Sequence, residues 1–194
     1  MTVYRLHVLL LDIAPPIWRR VELSGETSLA QLHKVLQCAM GWHDYHLHEF
    51  GVGDQRYGVP DEEFDRPEEV VKDSTVKLSD ALPRKGAILI YTYDFGDNWA
   101  HKVVLEEIGL IEPDTKYPRV LDGARACPPE DSGGPYGYAD LLEILSKPRH
   151  KEHRRMREWA GKNFDPEKFS AKKANLMLKQ AAPKSSKMKT VQIQ

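Results

Sequence analysis

Apolar residues take alternate positions at the start of the chain. Val3 to Ile13 is rich in aliphatic and β-branched residues, Pro15-Pro16 interrupts it, and Ile17, Arg19, Val21 and Leu23 then alternate with Trp18, Arg20 and Glu22. A period of two sends alternate side chains to one face of a strand, so this pattern predicts two antiparallel strands joined at the prolines. The period then lengthens. Leu29, Leu32, Leu36 and Met40 recur at helical spacing; Ser28 stands at the N-cap with Gln31 as its capping-box partner, and Gly41 supplies the stop. A strand-strand-helix opening lets one sheet face bury against one helix, and it also permits a ubiquitin-like roll.

His46 to Val52 reads as a strand that turns at Gly53-Asp54 into Gln55 to Val59, and the acidic stretch from Pro60 to Asp73 as an exposed loop. A second hairpin follows, in which Gly86 to Asp94 and Trp99 to Glu107 flank the turn Phe95-Gly96-Asp97-Asn98. Placing Tyr93 opposite Trp99 brings Tyr91 to His101 and Leu89 to Val103, a continuous apolar face. Ile88 and Ile90 occupy the other face, which predicts a central strand. Past Ile111, prolines and glycines crowd as far as Gly137 and predict a long loop. Tyr138, Leu141, Leu142 and Leu145 give a helical stripe ending before Pro148, and His150 to Ala160 a weaker helix stopped by Gly161. Asp165 as N-cap, Pro166 at the first helical position and Phe164 stapled to Phe169 predict the start of a last helix. The expected architecture is a single α+β domain over 1–181. Its sheet is mixed or antiparallel with the early helix on one face, residues 147–181 form a basic helical part, and 182–194 form a disordered tail.

Composition supports a real core: of 194 residues, 41% are hydrophobic and 29% charged. No apolar run approaches the roughly 18 residues that span a bilayer, and the first residues lack a secretory pattern, so no membrane partner and a cytoplasmic address are expected. Cys38 and Cys127 lie far apart without CxxC spacing, which supports neither a disulfide framework nor a cysteine-rich zinc site. The net charge of −1 conceals a split. Residues 1–146 hold 14 basic against 25 acidic side chains, whereas 147–190 hold 14 against 4. Clustered cations displace counterions from phosphate, so Arg149, Lys151, Arg154, Arg155 and Arg157 are candidate nucleic-acid contacts. The same positions also fit a solvated helix face or one docked on the acidic body.

Three segments belong together: Trp42-His43 through His46-Leu47-His48-Glu49-Phe50 with Tyr57; Tyr91-Thr92-Tyr93-Asp94-Phe95-Gly96-Asp97-Asn98-Trp99 with His101; and Cys127-Pro128-Pro129-Glu130-Asp131-Ser132-Gly133-Gly134 with Gly137-Tyr138. In this order they resemble the plasmid pRiA4b open-reading-frame-three-like family, over about residues 3 to 175. The resemblance implies an α+β fold on a sheet with an early helix, and a plasmid or mobile-element setting. It also implies an uncharacterised intracellular binding module whose loops frame a pocket for a protein or nucleic-acid partner. Some relatives carry a label linking them to transposon passenger or resolvase genes, yet no resolvase-type serine motif is present here. Relatives often have cysteine where this chain has Ser132, a departure that argues against Ser132 as an essential nucleophile. Asp131-Ser132-Gly133-Gly134-Pro135 looks like the nucleophile motif of chymotrypsin-like proteases, but Glu130 precedes it instead of glycine and no matching histidine motif lies upstream. No phosphate loop or HExxH is present.

The polar residues of these segments suggest chemistry of their own. Imidazoles and carboxylates suit zinc, manganese or iron, with zinc or manganese the expected ion, and an incompletely filled coordination sphere activates water. His46, His48, Asp94, Asp97 and His101 are the candidate ligands, with Glu130 or Asp131 as general base, which defines a metal-dependent hydrolase as the alternative to a binding module. Side chains two apart on a strand project together, which pairs His46 with His48. Each residue also has an architectural reading. His101 shares a strand face with Trp99, Val103 and Leu105, Asp94 and Asp97 fit turn chemistry, and Glu130 and Asp131 can pin a glycine-rich loop through its backbone amides.

Overall fold

The computed structural model of the chain describes residues 2–60 and 69–181. The opening is the predicted hairpin, β1 (Thr2–Leu10) and β2 (Ile17–Ser24), followed by α1 (Leu29–Met40). Both halves of the capping box form, the Ser28 side chain accepting from the Gln31 backbone and the Gln31 side chain from the Ser28 backbone; Gly41 closes the helix in the left-handed region at φ 95°. Then come β3 (His48–Val52), β4 (Gln55–Gly58), β5 (Val70–Lys72), a short α2 (Leu78–Ala81), β6 (Ile88–Tyr93), β7 (Trp99–Leu110) and β8 (Arg119–Ala124). Three helices follow: α3 (Gly134–Ser146), α4 (His153–Trp159) and α5 (Ala171–Ala181).

All eight strands join one mixed sheet in the order β5-β4-β3-β6-β7-β1-β2-β8. Its pairs are antiparallel except β4 with β5. The β6–β7 register is the one that the alternation predicts, with Tyr93 opposite Trp99, Tyr91 opposite His101 and Leu89 opposite Val103. One face is fully buried: Leu6, Val8, Ile17, Val21, Phe50, Tyr91, Trp99 and Leu105 are at 0% exposure, as are Leu29 and Leu32 of α1. The opposite face is polar. There Glu22 accepts from Arg5 at 2.8 Å and from Arg119 at 2.7 Å, tying β1, β2 and β8 together. Ile88 and Ile90 lie on this open face and are exposed. β6 is therefore internal in the sheet without a second layer over it.

Three local features differ from the sequence expectation. Val70–Lys72 pairs with β4 as a strand, and Asp73 beyond it is buried, where an exposed acidic loop was expected; residues 61–68 of that stretch lie outside the described residues. Arg119–Ala124 is a strand inside the proline- and glycine-rich region because β2 offers it a hydrogen-bonding edge, a tertiary effect that local composition does not carry. The last helix starts at Ala171. Asp165 only closes a local turn by accepting from Glu167 N at 3.1 Å, while Ser170 Oγ accepts from Lys173 N at 3.3 Å. The expected tail, 182–194, lies outside the described residues. No helix among the described residues is long and apolar enough to cross a membrane.

At the β8 edge the Asn175 side chain from α5 pairs with the backbone of Val120 as a neighbouring strand would. It accepts from Val120 N at 2.9 Å and donates to Val120 O at 2.8 Å. Covering an edge in this way satisfies a buried backbone and blocks pairing with another chain. Asn175→Ala is expected to cost about 1–2 kcal/mol, because both Val120 groups lose their partner. Urea denaturation checks this; unchanged stability would mean that water replaces the amide without loss.

Candidate functional site

Residues 41–47, between α1 and β3, are held by the other two motif segments. Trp42 Nε1 donates to Pro128 O at 2.9 Å and His43 N to Glu130 Oε2 at 3.1 Å. The Tyr93 hydroxyl accepts from Tyr45 N and His46 N, at 3.0 and 3.3 Å, and donates to Glu130 Oε1 at 2.6 Å. One phenol and one carboxylate thus join all three segments. Burial first, and the hydrogen bond to Glu130 second, push the Tyr93 hydroxyl well above its usual range, so it remains a protonated donor.

The turn after β6 is built by Asp94, in the left-handed region at φ 58°, whose Oδ1 accepts from Gly96 N at 3.0 Å and Asp97 N at 3.3 Å. Asp97 in turn accepts from Gly133 N at 3.0 Å. The third segment lies so close that a Cβ on Gly134, itself at φ 68°, would sit 2.5 Å from Asp97 O. Contact and dihedral both demand glycine there. Gly134→Ala is expected to destabilise the protein by about 2 kcal/mol, from left-handed strain plus displaced backbone. Thermal denaturation tests this, and a variant as stable as the parent would show that the two segments do not need this approach.

Between these segments three ligand-type atoms converge. His46 Nε2 lies 3.1 Å from Asp131 Oδ1 and 3.6 Å from Asp94 Oδ2, and all three atoms fall within 4.8 Å of one another. The Asp94 side chain is 10% exposed and the Asp131 side chain 69%, so the cluster has a buried floor and an open side. His46 Nε2 is shielded from solvent and has no hydrogen-bond partner among the described residues, although Asp131 Oδ1 lies 3.1 Å away. Asp94 spends Oδ1 on the turn and leaves Oδ2 toward the cluster, without a hydrogen bond among the described residues.

The other candidate residues go elsewhere. His48 Nε2 donates to Asp73 Oδ2 at 2.9 Å, and its ring stacks on His33 with centroids 3.6 Å apart. His101 is fully buried, with Nδ1 3.2 Å from Tyr91 O and Trp42 edge-on at 5.4 Å. Asp97 fastens Gly133, and Glu130 spends both oxygens on Tyr93 and His43. In the basic segment Arg149, Lys151 and Arg154 are exposed, Arg155 pairs with Glu152, and Arg157 donates to Phe164 O at 2.8 Å. Burial pushes the Cys127 thiol up to about 11, which leaves it a thiol facing Met40 Sδ at 3.1 Å.

Sequence reasoning missed a polar cluster beside the site. His33 Nδ1 lies 2.8 Å from the Tyr91 hydroxyl, which also accepts from Gln37 Nε2 at 2.9 Å, and His33 Nε2 lies 2.7 Å from Asp44 Oδ1. Burial first, and the neighbouring His48 second, lower the His33 pKa. The signal was present: His33 and Gln37, four apart, interrupt the apolar stripe of α1 on its core side. Tyr45, Phe95 and Tyr136, exposed aromatics close in sequence to His46, Asp94 and Asp131, were missed as a group.

Residues 2–173 match the family model described as plasmid pRiA4b ORF-3-like protein. The chain is 41% identical over 162 residues to the uncharacterized protein y4hQ of Sinorhizobium fredii (strain NBRC 101917 / NGR234), covering 82% of this chain and 81% of that protein. It is also similar to the crystal structure of a protein of unknown function, MM3350 from Methanosarcina mazei Go1. There the TM-score is 0.79 and the identity 39%, with 88% of this chain and 96% of the other covered.

Proposed function

The chain belongs to the plasmid pRiA4b ORF-3-like family, and from its geometry we propose that it is a binding module for a divalent cation, zinc or manganese, held by His46, Asp94 and Asp131. One observation carries this reading: a nitrogen and two carboxylate oxygens from three separate segments meet within 4.8 Å. Ligand atoms about 2.1 Å from a common ion stand about 3–3.5 Å apart; of the two separations from His46 Nε2, 3.1 Å lies within that spacing and 3.6 Å just above it. The unpartnered His46 Nε2 supports the same reading, since a buried ring nitrogen without a partner is costly unless it has a ligand. Coordination also balances charge, because a dication with a neutral imidazole cancels Asp94 and Asp131.

Three protein ligands leave coordination positions on the open side for water or an incoming group. Water activation there is the hydrolytic alternative, in which the ion supplies the acidity. Glu130 serves that scheme poorly as a base, both of its oxygens being engaged, and instead positions His46 through Tyr93. Calorimetric titration with Zn²⁺ and Mn²⁺ tests the site. A stoichiometry of one is expected, with His46→Gln and Asp131→Asn each weakening affinity at least about 100-fold, as loss of one ligand from a three-ligand site should. Equal cation binding by the parent and both variants, or none by the parent, would leave His46 as an ion-paired histidine between two carboxylates.

A further inference from the structure

We propose that the corner joining α3 to α4 binds single-stranded nucleic acid, with Trp159 as the platform for a base and the cations around it as phosphate contacts. This surface is independent of the cation site. Residues 149–162 carry six basic side chains against two acidic ones. The acidic body does not neutralise them: Arg149, Lys151 and Lys162 are exposed, and none has a side-chain hydrogen bond or ion pair among the described residues. Arg154 and Arg155 face Glu158 and Glu152, but with 92% and 70% of their side chains exposed. Ion pairs this open to water contribute little and exchange readily for phosphate.

Hydrogen bonds and packing hold the corner in place. His150 N donates to Lys147 O at 2.8 Å and His153 N to His150 O at 3.0 Å, so the turn runs directly into α4. Beyond the helix the Arg157 guanidinium donates to Phe164 O at 2.8 Å. Met156 and Ala160, four apart on one side of α4, pack with Phe164 against the core. Arg154, Arg155 and Trp159 are left exposed, and Arg155 and Trp159, also four apart, stand side by side.

Trp159 differs from the other tryptophans. Trp42 and Trp99 are buried, and Trp18 stacks on His7 beneath the Arg20 guanidinium. Trp159 is 46% exposed and has no ring, cation–π or hydrogen-bond partner among the described residues. An indole open to water among arginines and lysines is the arrangement on which a base stacks while cations hold the flanking phosphates. A duplex hides its base faces, so this platform fits a single strand. The body adds direction: residues 1–146 hold 14 basic against 25 acidic side chains, and their field turns a polyanion away from every surface but this one.

The test is fluorescence anisotropy of a labelled short oligothymidylate titrated with the full chain in the presence of a chelator, beside a duplex of equal length and vesicles of phosphatidylserine and phosphatidylcholine. The single strand is expected to bind more tightly than the duplex, and to weaken roughly 20- to 50-fold between about 50 and about 200 mM salt, as about three or four phosphate contacts require. Trp159→Ala is expected to weaken binding at least about tenfold with the salt dependence unchanged. Arg149→Gln combined with Lys151→Gln is expected to flatten the salt dependence by about two contacts. All three side chains lie at the surface, so the variants keep the fold, which circular dichroism checks. Absence of binding at low salt, equal affinity for duplex and single strand, or unchanged affinity of Trp159→Ala would each overturn the proposal. Binding to the anionic vesicles alone would overturn it in favour of a lipid surface.

Discussion

Arg19→Ala is expected to lower folding stability by about 3–5 kcal/mol, the range for leaving a buried polar constellation without its central group. Arg19 sits on the core face of β2 and is 1% exposed. Its guanidinium donates from Nε to Ala39 O at 2.8 Å and from one terminal nitrogen to Trp18 O and Ala124 O, at 2.8 and 2.9 Å. The Phe169 ring lies 3.9 Å below it. These contacts link β2, the end of α1, β8 and the segment before α5. Three carbonyls stand in for the carboxylate that a buried arginine usually has. Burial lowers the Arg19 pKa but leaves the group a cation, because an arginine starts far above neutral pH. Truncation therefore removes a cation–π contact, opens a cavity and strips partners from several carbonyls at once. Arg19→Met separates these effects by refilling the volume alone. Equilibrium unfolding in urea is expected to rank parent above methionine above alanine; alanine within about 1 kcal/mol of the parent would show that water takes over the guanidinium's bonds.

Arg19 also illustrates what the sequence could and could not reveal. Its alternation with Ile17 and Val21 placed it on the buried face of the hairpin, but its acceptors lie at positions 39 and 124 and leave no trace in local pattern. Elements set by neighbours in sequence were legible: the Ser28–Gln31 box, the Gly41 stop and the β6–β7 register all depend on residues within one turn or hairpin. β8 was not, since Val120 and Leu121 become a strand only against β2. Asp165-Pro166 has the grammar of a helix start, yet the chain turns locally and Ser170 takes the cap.

The site was legible as residue types and illegible as geometry. Pairing His46 with His48 assumed a strand through both, but β3 begins at His48. His46 therefore lies in the preceding loop, where period two does not apply. There the Tyr93 hydroxyl holds its backbone and the ring turns toward Asp94 and Asp131. His48 obeys the strand rule and points inward to His33 and Asp73. Asp131 was read, with Glu130, as a candidate general base, and the spatial meeting with His46 gives it a ligand-type position instead.

His101 makes acid sensitivity the second large expected effect. It is completely buried, its Nδ1–H donates to Tyr91 O, and Nε2 has no hydrogen-bond partner among the described residues. Burial, the dominant cause, lowers its pKa from 6.5 to about 4, since the core excludes the water that would solvate an imidazolium. The sign follows from proton counting. Between those two values the unfolded chain holds a proton on this ring that the folded chain refuses, so acidification favours unfolding. The stabilisation is complete above pH 6.5 and disappears as pH falls toward 4. At 1.36 kcal/mol per unit the loss attributable to this ring is about 3 kcal/mol. His33, lowered for the same reason, adds to the slope in the same direction. Urea unfolding of the parent and of His101→Gln across pH 7 to 4 isolates the contribution, because carboxylates and His33 titrate in both proteins. The glutamine variant starts less stable and is expected to lose about 3 kcal/mol less over the interval. Parallel pH curves for the two proteins would show that the His101 ring accepts its proton inside the folded core.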